Sequence, residues 1–440
     1  MSGQTLERPR LAPYLDSVPG GWGVRRIASI MTERRTIVGN SASEFMLLSL
    51  TLRGVIARDM VNVQGKLPAD FSTYQAVKPG DLVFCLFDVA ETPRTVGMST
   101  ASGMITGAYT VMRVTAPDAY PRFLEYVYLS YDQRKALRPL YAGMRNTIRT
   151  ADFRNIVIPF PDFPTQRTIA DYLDRETAEI DAFIADQEEL IALLTERRAA
   201  TISSLVTGGM NPRADVKESG VEWIGTLPKH WQVARLGDSV LSARNGLWGD
   251  EPFTGDVTVR CVRVADFDRP RHRTHDLDVT QRSYARSEFE SRRLARGDLL
   301  LEKSGGGPKS PVGFCVRWNQ DEDAVCSNFV ARLRLADGMD SRYWVAVHAA
   351  LYSAGLTQRS INQSTGIQNL NQSSYFAERV PVPPSEEQAE IADQIAKASA
   401  EIDAAIADAR EAIALSRERR AALISAAVTG KIDVTRGAAA

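Results

Sequence analysis

Residues 166–208 read QRTIADYLDRETAEIDAFIADQEELIALLTERRAATISSLVTG, and residues 388–430 read QAEIADQIAKASAEIDAAIADAREAIALSRERRAALISAAVTG. At a shift of 222 the two align without a gap, and 26 of 43 positions are identical, including the blocks IAD, AEIDA, ERRAA and VTG. Identity of that density marks an internal duplication. Ile169, Leu173, Ile180, Ile184 and Ile191 fall at intervals of 4, 7, 4 and 7, and Ile391, Ile395, Ile402, Ile406 and Ile413 repeat them. This is the spacing of a coiled-coil seam. Thr165 and Ser385, each after a proline, are candidate N-terminal caps, and Gly208 and Gly430 stand where a helix should stop. Forty-three helical residues reach about 65 Å. A helix that long with one apolar stripe needs a partner. The other copy supplies it, and the return of the chain between copies makes the packing antiparallel.

The repeat extends outward from these segments. Pro19, Trp22, Val24 and Arg26 match Pro228, Trp231, Val233 and Arg235 at a shift of 209; Gly80-Asp81-Leu82 matches Gly297-Asp298-Leu299 at 217; Pro159 and Pro161 match Pro381 and Pro383 at 222. The region ahead of each helix is therefore the same unit, 13 residues longer in the second copy and strongly diverged. Runs such as Asp81–Phe87, Asp298–Leu301 and Ala331–Leu335 read as strands among frequent Gly, Pro and Asp breaks. The expected fold class is α+β: two mixed α/β domains separated by two long helices packed as an antiparallel coiled coil, with a pseudo-twofold internal repeat. The expected boundaries are 1–163 and 211–383 for the domains, 164–210 and 384–432 for the helices, and 433–440 for a tail.

Composition agrees with a multidomain globular chain: 440 residues, 44% hydrophobic and 24% charged. No run approaches the 18 apolar residues of a membrane span, and MSGQTLERPR lacks a signal-peptide core. The four cysteines, Cys85, Cys261, Cys315 and Cys326, form no CxxC pair, so a reducing cytoplasm is the expected setting. The overall charge of −1 hides an asymmetry: residues 1–165 carry +5, 166–208 carry −5, 209–384 carry +2 and 385–440 carry −3. The domains are mildly basic and the helices acidic. In 209–384, 19 of 23 basic residues are arginine, the side chain suited to bidentate phosphate and guanine contacts. The densest run is Arg269-Pro270-Arg271-His272-Arg273, read first as an exposed loop and second as a phosphate contact.

Catalytic signatures are missing. There is no GxxxxGK[ST] loop and no GxGxxG opening a helix. The histidines at 230, 272, 275 and 348 show no zinc spacing, so no metal site is expected. The tetrapeptide Val382-Pro383-Pro384-Ser385 lacks both the polar start and the aromatic end of an amino-methyltransferase motif, and Asp215-Val216-Lys217 is an isolated carboxylate-x-Lys in a linker. Ser304-Gly305-Gly306-Gly307-Pro308-Lys309-Ser310 follows a strand, but its prolines make it a loop whose amides, beside Lys303 and Lys309, suit a phosphate.

The whole chain resembles the specificity (S) subunit of type I restriction-modification systems. The resemblance rests on SGVEWIGTLPKHWQVARLGD at 219–238 and its fainter twin PYLDSVPGGWGVRRI at 13–27. It rests equally on IPFPDFPTQRTIADYLD at 158–174, VPVPPSEEQAEIADQIA at 380–396 and ERRAALISAAVTGKID at 418–433. Gln166 and Gln388 fall at the family's glutamine; Thr165 departs from it, glutamate being usual there. The resemblance implies two target recognition domains, each reading one half of a split double-stranded DNA site, about one DNA turn (roughly 34 Å) apart. It implies long helices that set the spacing and dock methyltransferase subunits, two by expectation, with restriction/translocase subunits completing the complex. S-adenosylmethionine, ATP and Mg are expected on those partners and no cofactor or catalytic residue on this chain.

Candidate DNA-contacting residues come from chemistry and from the repeat, because arginine reads guanine and Asn or Gln reads adenine. They are Arg145, Asn146 and Arg149 in the first copy, with Gln368, Asn369 and Asn371 in the matching stretch of the second. The Gly-rich loop adds Lys303, Ser304, Gly305, Gly306 and Lys309, with Arg94 near its first-copy counterpart. The competing reading is a non-catalytic coiled-coil scaffold carrying two ligand- or protein-binding domains.

Overall fold

The computed structural model describes residues 18–59, 70–142, 146–307, 310–364 and 366–434. Four helices organise it: α1 (Pro121–Gln133), α2 (Phe163–Gly208), α3 (Ser341–Ser353) and α4 (Ser385–Val428). The fold is α+β. The chain divides into two compact units, one of residues 1–186 with 411–440 and one of 187–410, so each long helix contributes one half to each unit.

In the first unit the central sheet has the order β2 (Met31–Glu33), β5 (Thr110–Val114), β3 (Leu82–Phe84), β4 (Val96–Met98), all antiparallel, with Leu82 opposite both Met98 and Met112. Helix α1 packs on it through Phe123, Leu124 and Val127. The entry strand β1 (Gly23–Arg26) pairs antiparallel with β8 (Val157–Phe160), Gly23 opposite Phe160. Pro159 is tolerated there because this ribbon has only two strands. Two short strands, β6 (Tyr141–Ala142) and β7 (Thr147–Ile148), form a hairpin between α1 and β8. Ile169, Ala170 and Leu173 of α2 and Ile424, Ala427 and Val428 of α4 complete the same core.

The second unit repeats this plan with additions. Strand β9 (Gln232–Arg235) pairs with β19 (Arg379–Val382) as β1 does with β8. The main sheet has six strands: β10 (Val240–Asn245), β16 (Val330–Leu335), β13 (Leu299–Glu302), β15 (Cys315–Arg317), β12 (Arg273–Thr274) and β11 (Phe267–Asp268). A three-stranded sheet follows in the order β14 (Ser304–Gly305), β18 (Ile367–Leu370), β17 (Ile361–Ser364). Ile202 and Val206 of α2 share the core with Ile391 and Ala392 of α4, the repeat equivalents of the residues in the first unit.

Within each unit the helix halves run antiparallel. Ile169, Leu173, Ile180, Ile391, Ile402, Ile406 and Ile413 are buried, while Ile184, Ile191 and Ile395 are half-buried. The shared blocks AEIDA and ERRAA are explained by reciprocal ion pairs. Arg420 holds Asp181 bidentately at 2.8 and 3.0 Å in the first unit, and its equivalent Arg198 pairs with Asp403, the equivalent of Asp181, in the second. Each block keeps its residues because it faces the other block of the other copy.

The expected N-terminal caps are corrected. The cap of α2 is Asp162, whose Oδ1 accepts the Thr165 amide at 2.9 Å, and Ser385 is the first helical residue of α4. Helix α2 ends at Gly208, as its spacing predicts, and the next residue, Gly209 (φ +70°), is left-handed, its Cα hydrogen facing the Trp231 ring; Gly430 (φ +69°) stands in the same way over Pro19 and Trp22. The Arg269–Arg273 run lies at the surface, with Pro270, Arg271 and Arg273 exposed, and is bonded to its surroundings. Arg198 Nη1 donates to Pro270 O at 2.8 Å, Arg271 Nε to Asp403 Oδ2 at 2.8 Å and Arg269 Nη2 to Glu302 Oε2 at 2.6 Å.

Candidate nucleic-acid interface

Gln166 and Gln388 join each domain to its helix. Gln388 Oε1 accepts Asp340 N at 3.0 Å and Trp344 Nε1 at 3.1 Å at the start of α3, while its Nε2 donates to Pro383 O at 3.0 Å. Gln166 Oε1 accepts Tyr120 N at 2.8 Å ahead of α1, and its Nε2 donates to Pro161 O and Asp118 O. One fully buried amide thus satisfies the approach strand and the orphan amide before a domain helix. Glu387 adds a contact that Thr165 cannot make: its Oε2 accepts Trp231 Nε1 at 2.7 Å.

This joint sets a second feature of each domain. In the second unit the Gly-rich segment and the 367–371 stretch, far apart in sequence, meet in one sheet, with Ser304 opposite Asn369 and Gly305 opposite Gln368. Ser304 Oγ donates to Asn369 Oδ1 at 2.7 Å, and Leu370 N donates to Lys303 O at 2.8 Å. Asn369 is exposed and Lys303 half-buried. Gly305 has φ +112° and Gly306 φ +59°; a Cβ on Gly306 would lie 2.9 Å from Val312 and 3.0 Å from Gln368 Oε1, so only glycine closes this turn. Beside it a cavity of about 330 Å³ is walled by Trp248, Phe329, Arg263 and the loop glycines, with buried Glu302 at its base. Burial pushes the Glu302 carboxyl above its ordinary range, against the pull of Arg269.

The first unit builds the same frame with different side chains. Phe87 stands opposite Thr147, as Ser304 does opposite Asn369, and Ile148 N donates to Leu86 O at 2.7 Å. Asp88 (φ +45°) takes the left-handed place of Gly305, and its amide donates to Asn146 O at 3.1 Å. Asn146 is exposed at φ +47°. Arg149 is also exposed, its Nε on Asp152 Oδ2 at 2.8 Å. Phe87 stacks on Tyr109 at 6.1 Å, and Tyr141 Oη accepts Ala90 N at 2.7 Å.

The structure therefore brings together Lys303, Ser304, Gly305, Gly306 and Asn369, and separately Asn146 and Arg149; Arg145 and Lys309 lie outside the described residues. Three candidates have other duties. Arg94 is internal, donating to Val96 O and Leu52 O at 2.8 Å and pairing with buried Glu125 at 3.0 Å. Gln368 is buried and accepts Val312 N. Asn371 caps a short helix, its Oδ1 accepting Ser374 N at 3.1 Å. Sequence reading missed Phe87, Trp248 and Phe329, exposed or stacked aromatics beside the polar pairs; a loop aromatic carries no periodicity to announce it. Among the described residues no group of His, Cys, Asp and Glu could hold a metal ion, and no helix is long and apolar enough to cross a membrane.

The model of the type I restriction modification DNA specificity domain matches residues 114–191, the stretch from β5 through α1 and the β6–β7 hairpin into α2. Two relatives match more of the chain. The type I restriction enzyme StySPI specificity subunit of Salmonella potsdam is 26% identical over 280 residues, 62% of this chain and 58% of that one. The type I restriction enzyme EcoKI specificity subunit of Escherichia coli (strain K12) is 24% identical over 304 residues, 68% of this chain and 63% of that one. These matches make the chain similar to type I specificity subunits. It matches about three fifths of the length of these curated relatives. A solved chain described under the complex assembly and conformational transition of the type I R-M system shares the fold, with a TM-score of 0.62 at 15% identity, covering 94% of this chain and 99% of that one. In this fold, then, the paired hairpins and the Gln-centred joints are parts of one duplicated unit.

Proposed function

We propose that this chain is the sequence-reading subunit of a type I restriction-modification complex, non-catalytic in itself, and that each domain reads one half of a bipartite double-stranded DNA site. The observation that carries this reading is the shared frame with unshared side chains. Thr147 opposite Phe87 and Asn369 opposite Ser304 occupy one register and present different chemistry. Two copies of a scaffold that differ where side chains are exposed are suited to two different targets. Asn146 and Arg149, with Arg145, are the reading groups of the first domain; Ser304 and Asn369, flanked by Lys303 and Lys309 on phosphates, are those of the second.

The long helices act as the spacer and as the docking surface for two methyltransferase subunits, with restriction/translocase subunits on the assembled core. Their exposed apolar side chains, Phe183, Leu190, Leu193 and Leu415, support a docking role, since solvent gives them no partner. S-adenosylmethionine, ATP and Mg belong to those partners, and the complex works in the cytoplasm.

The test is a genome-wide map of N6-methyladenine with and without the gene, and with Ser304→Ala combined with Asn369→Ala. Deletion removes a split motif. The double variant relaxes one half of that motif and leaves the other intact. A motif unchanged in both halves by the variant refutes the assignment of these residues, and a map unchanged by deletion in a host with an active partner methyltransferase refutes the function.

A further inference from the structure

The two units differ at a place remote from the reading hairpins, between the domain helix and the long helix. In the first unit this space is filled. Tyr126 of α1 donates its hydroxyl to Asp174 of α2 at 2.6 Å and meets Thr177 at 3.3 Å. Arg122 donates to Asp174 at 2.7 Å, lies over the Tyr126 ring at 4.8 Å and pairs with Glu125, which also takes Arg94 and the Met98 amide. A phenol ring and two carboxylates thus plug the gap between α1 and α2.

The second unit has Ala346 for Tyr126, Ala396 for Asp174, Val345 for Glu125 and Ser399 for Thr177. The ring and both acids are gone, and a cavity of about 350 Å³ stands there, lined by these four residues together with Ile202, Ile395 and others. The arginine has stayed, as Arg342, now held by Asp340 and Asp393, and more have been added around the rim: Arg271, paired with Asp268 and Asp403, Arg273, 3.6 Å from Asp268, and Arg317. Arg317 takes the strand position held by Met98 in the first unit and lies directly across the parallel pairing from Arg273. Like charges directly opposite one another are destabilising in a sheet. Among the described residues Arg317 forms no ion pair, only a bond from its Nε to Ser341 Oγ at 2.8 Å. Asn319, also in the lining, has a buried Oδ1 with no donor. Asp403 is the one carboxylate in the lining, and Arg198 and Arg271 already occupy it.

We propose that this cavity is a docking pocket for a segment of a partner protein that brings an aromatic side chain flanked by carboxylates, the chemistry with which the first unit fills the same place from within. The apolar floor of Ala346, Ala396 and Ile395 takes the ring, and Arg317, with Arg273 beside it, takes the acids. The pocket does not depend on the DNA-reading assignment, because none of its residues belongs to the reading sheets.

The probe is a labelled peptide, acetyl-Glu-Ala-Asp-Tyr-Asp-Ala-Glu-amide, titrated into the full chain and followed by anisotropy, with a control in which Tyr becomes Ala. The wild type binds the first peptide and not the second. Arg317→Met, the residue of the other unit, weakens binding roughly tenfold. Ala346→Tyr with Ala396→Asp, which transplants the plug, abolishes binding and leaves the unfolding midpoint unchanged or higher; the single Ala396→Asp serves if the pair does not fold. Absence of binding to the wild type at about 1 mM overturns the proposal. So does binding indifferent to both variants. Loss of duplex-DNA affinity in Arg317→Met with peptide binding intact makes the surface a nucleic-acid contact and overturns it equally.

Discussion

Replacing Gln388 with alanine tests the joint between a domain and its helix. The side chain is 2% exposed and makes three bonds at 3.0, 3.1 and 3.0 Å, to Asp340 N, Trp344 Nε1 and Pro383 O. Truncation strands two donors and one carbonyl in a dry site. At about 1 kcal/mol for each group left without a partner, the loss is roughly 3 kcal/mol. The first turn of α3 and the β19–α4 junction bear it, so their local opening constant rises about a hundredfold. Hydrogen exchange followed by mass spectrometry reads this directly: peptides covering 341–353 and 380–392 exchange about two decades faster, and peptides covering 121–133 do not change. Gln166→Ala gives the mirror image, through Tyr120, Pro161 and Asp118. Acceleration of less than about threefold in the 341–353 peptides would mean that water replaces the amide without loss, and the joint would not be what holds the domain. Equal acceleration in both units would refute their independence.

The reciprocal ion pairs differ in burial, and so should their variants. Asp181→Ala, whose pair is largely solvated, costs under about 1 kcal/mol in denaturant unfolding, whereas Asp403→Ala costs about 3 kcal/mol because it leaves Arg198, 6% exposed, without its partner. Acid should weaken the second unit first. Burial holds His272 down to about 4 and His348 down to about 3, so both are neutral when folded; the stability this confers is complete above the unfolded value near 6.5 and is lost as pH falls below it. Between pH 6.5 and 5 the two histidines together account for about 3 kcal/mol, partly offset by the raised carboxyls of Asp298 and Glu302. Limited proteolysis at pH 5 should therefore cut within 187–410, and His348→Gln should remove about half the effect. All four cysteines are buried, and burial pushes Cys326 up to about 12, so iodoacetamide at pH 8 should label none of them until the chain unfolds.

The helices were legible in sequence because duplication and seam periodicity report one-dimensional regularities. Ile169 and Ile391 fall where their spacing places them, and the AEIDA and ERRAA blocks flagged a shared constraint before its nature, an ion pair between copies, was visible. The reading hairpins were half legible. The repeat aligned 145–149 with 367–371, but whether a side chain there faces solvent depends on strand register against a segment far away. Gln368 and Asn369 are neighbours of like chemistry, and the pleat buries one and exposes the other. Arg94 failed for a related reason: a guanidinium beside a loop reads as a phosphate ligand until the buried Glu125 that claims it is seen. Asn371 showed the usual ambiguity of asparagine, whose amide caps a helix as readily as it meets a base. The empty place at Ala346 and Ala396 had no signal in either copy alone. It appears only when one unit is laid over the other.

The first unit is assembled from both ends of the described chain, with residues 1–186 closed by 411–440. Ile424, Ala427 and Val428 fill its core more than two hundred positions after the strands they cover. During synthesis, then, the later-made domain can close on its own contiguous residues while the earlier one waits for the last helical turns to leave the ribosome. Throughout that interval the core shared by Ile169 and Leu173 lacks Ile424, Ala427 and Val428, and a pause or premature stop downstream of residue 410 strands the amino-terminal domain with part of its apolar face open. Vectorial synthesis favours domains that finish first; here the first begun is the last to be completed.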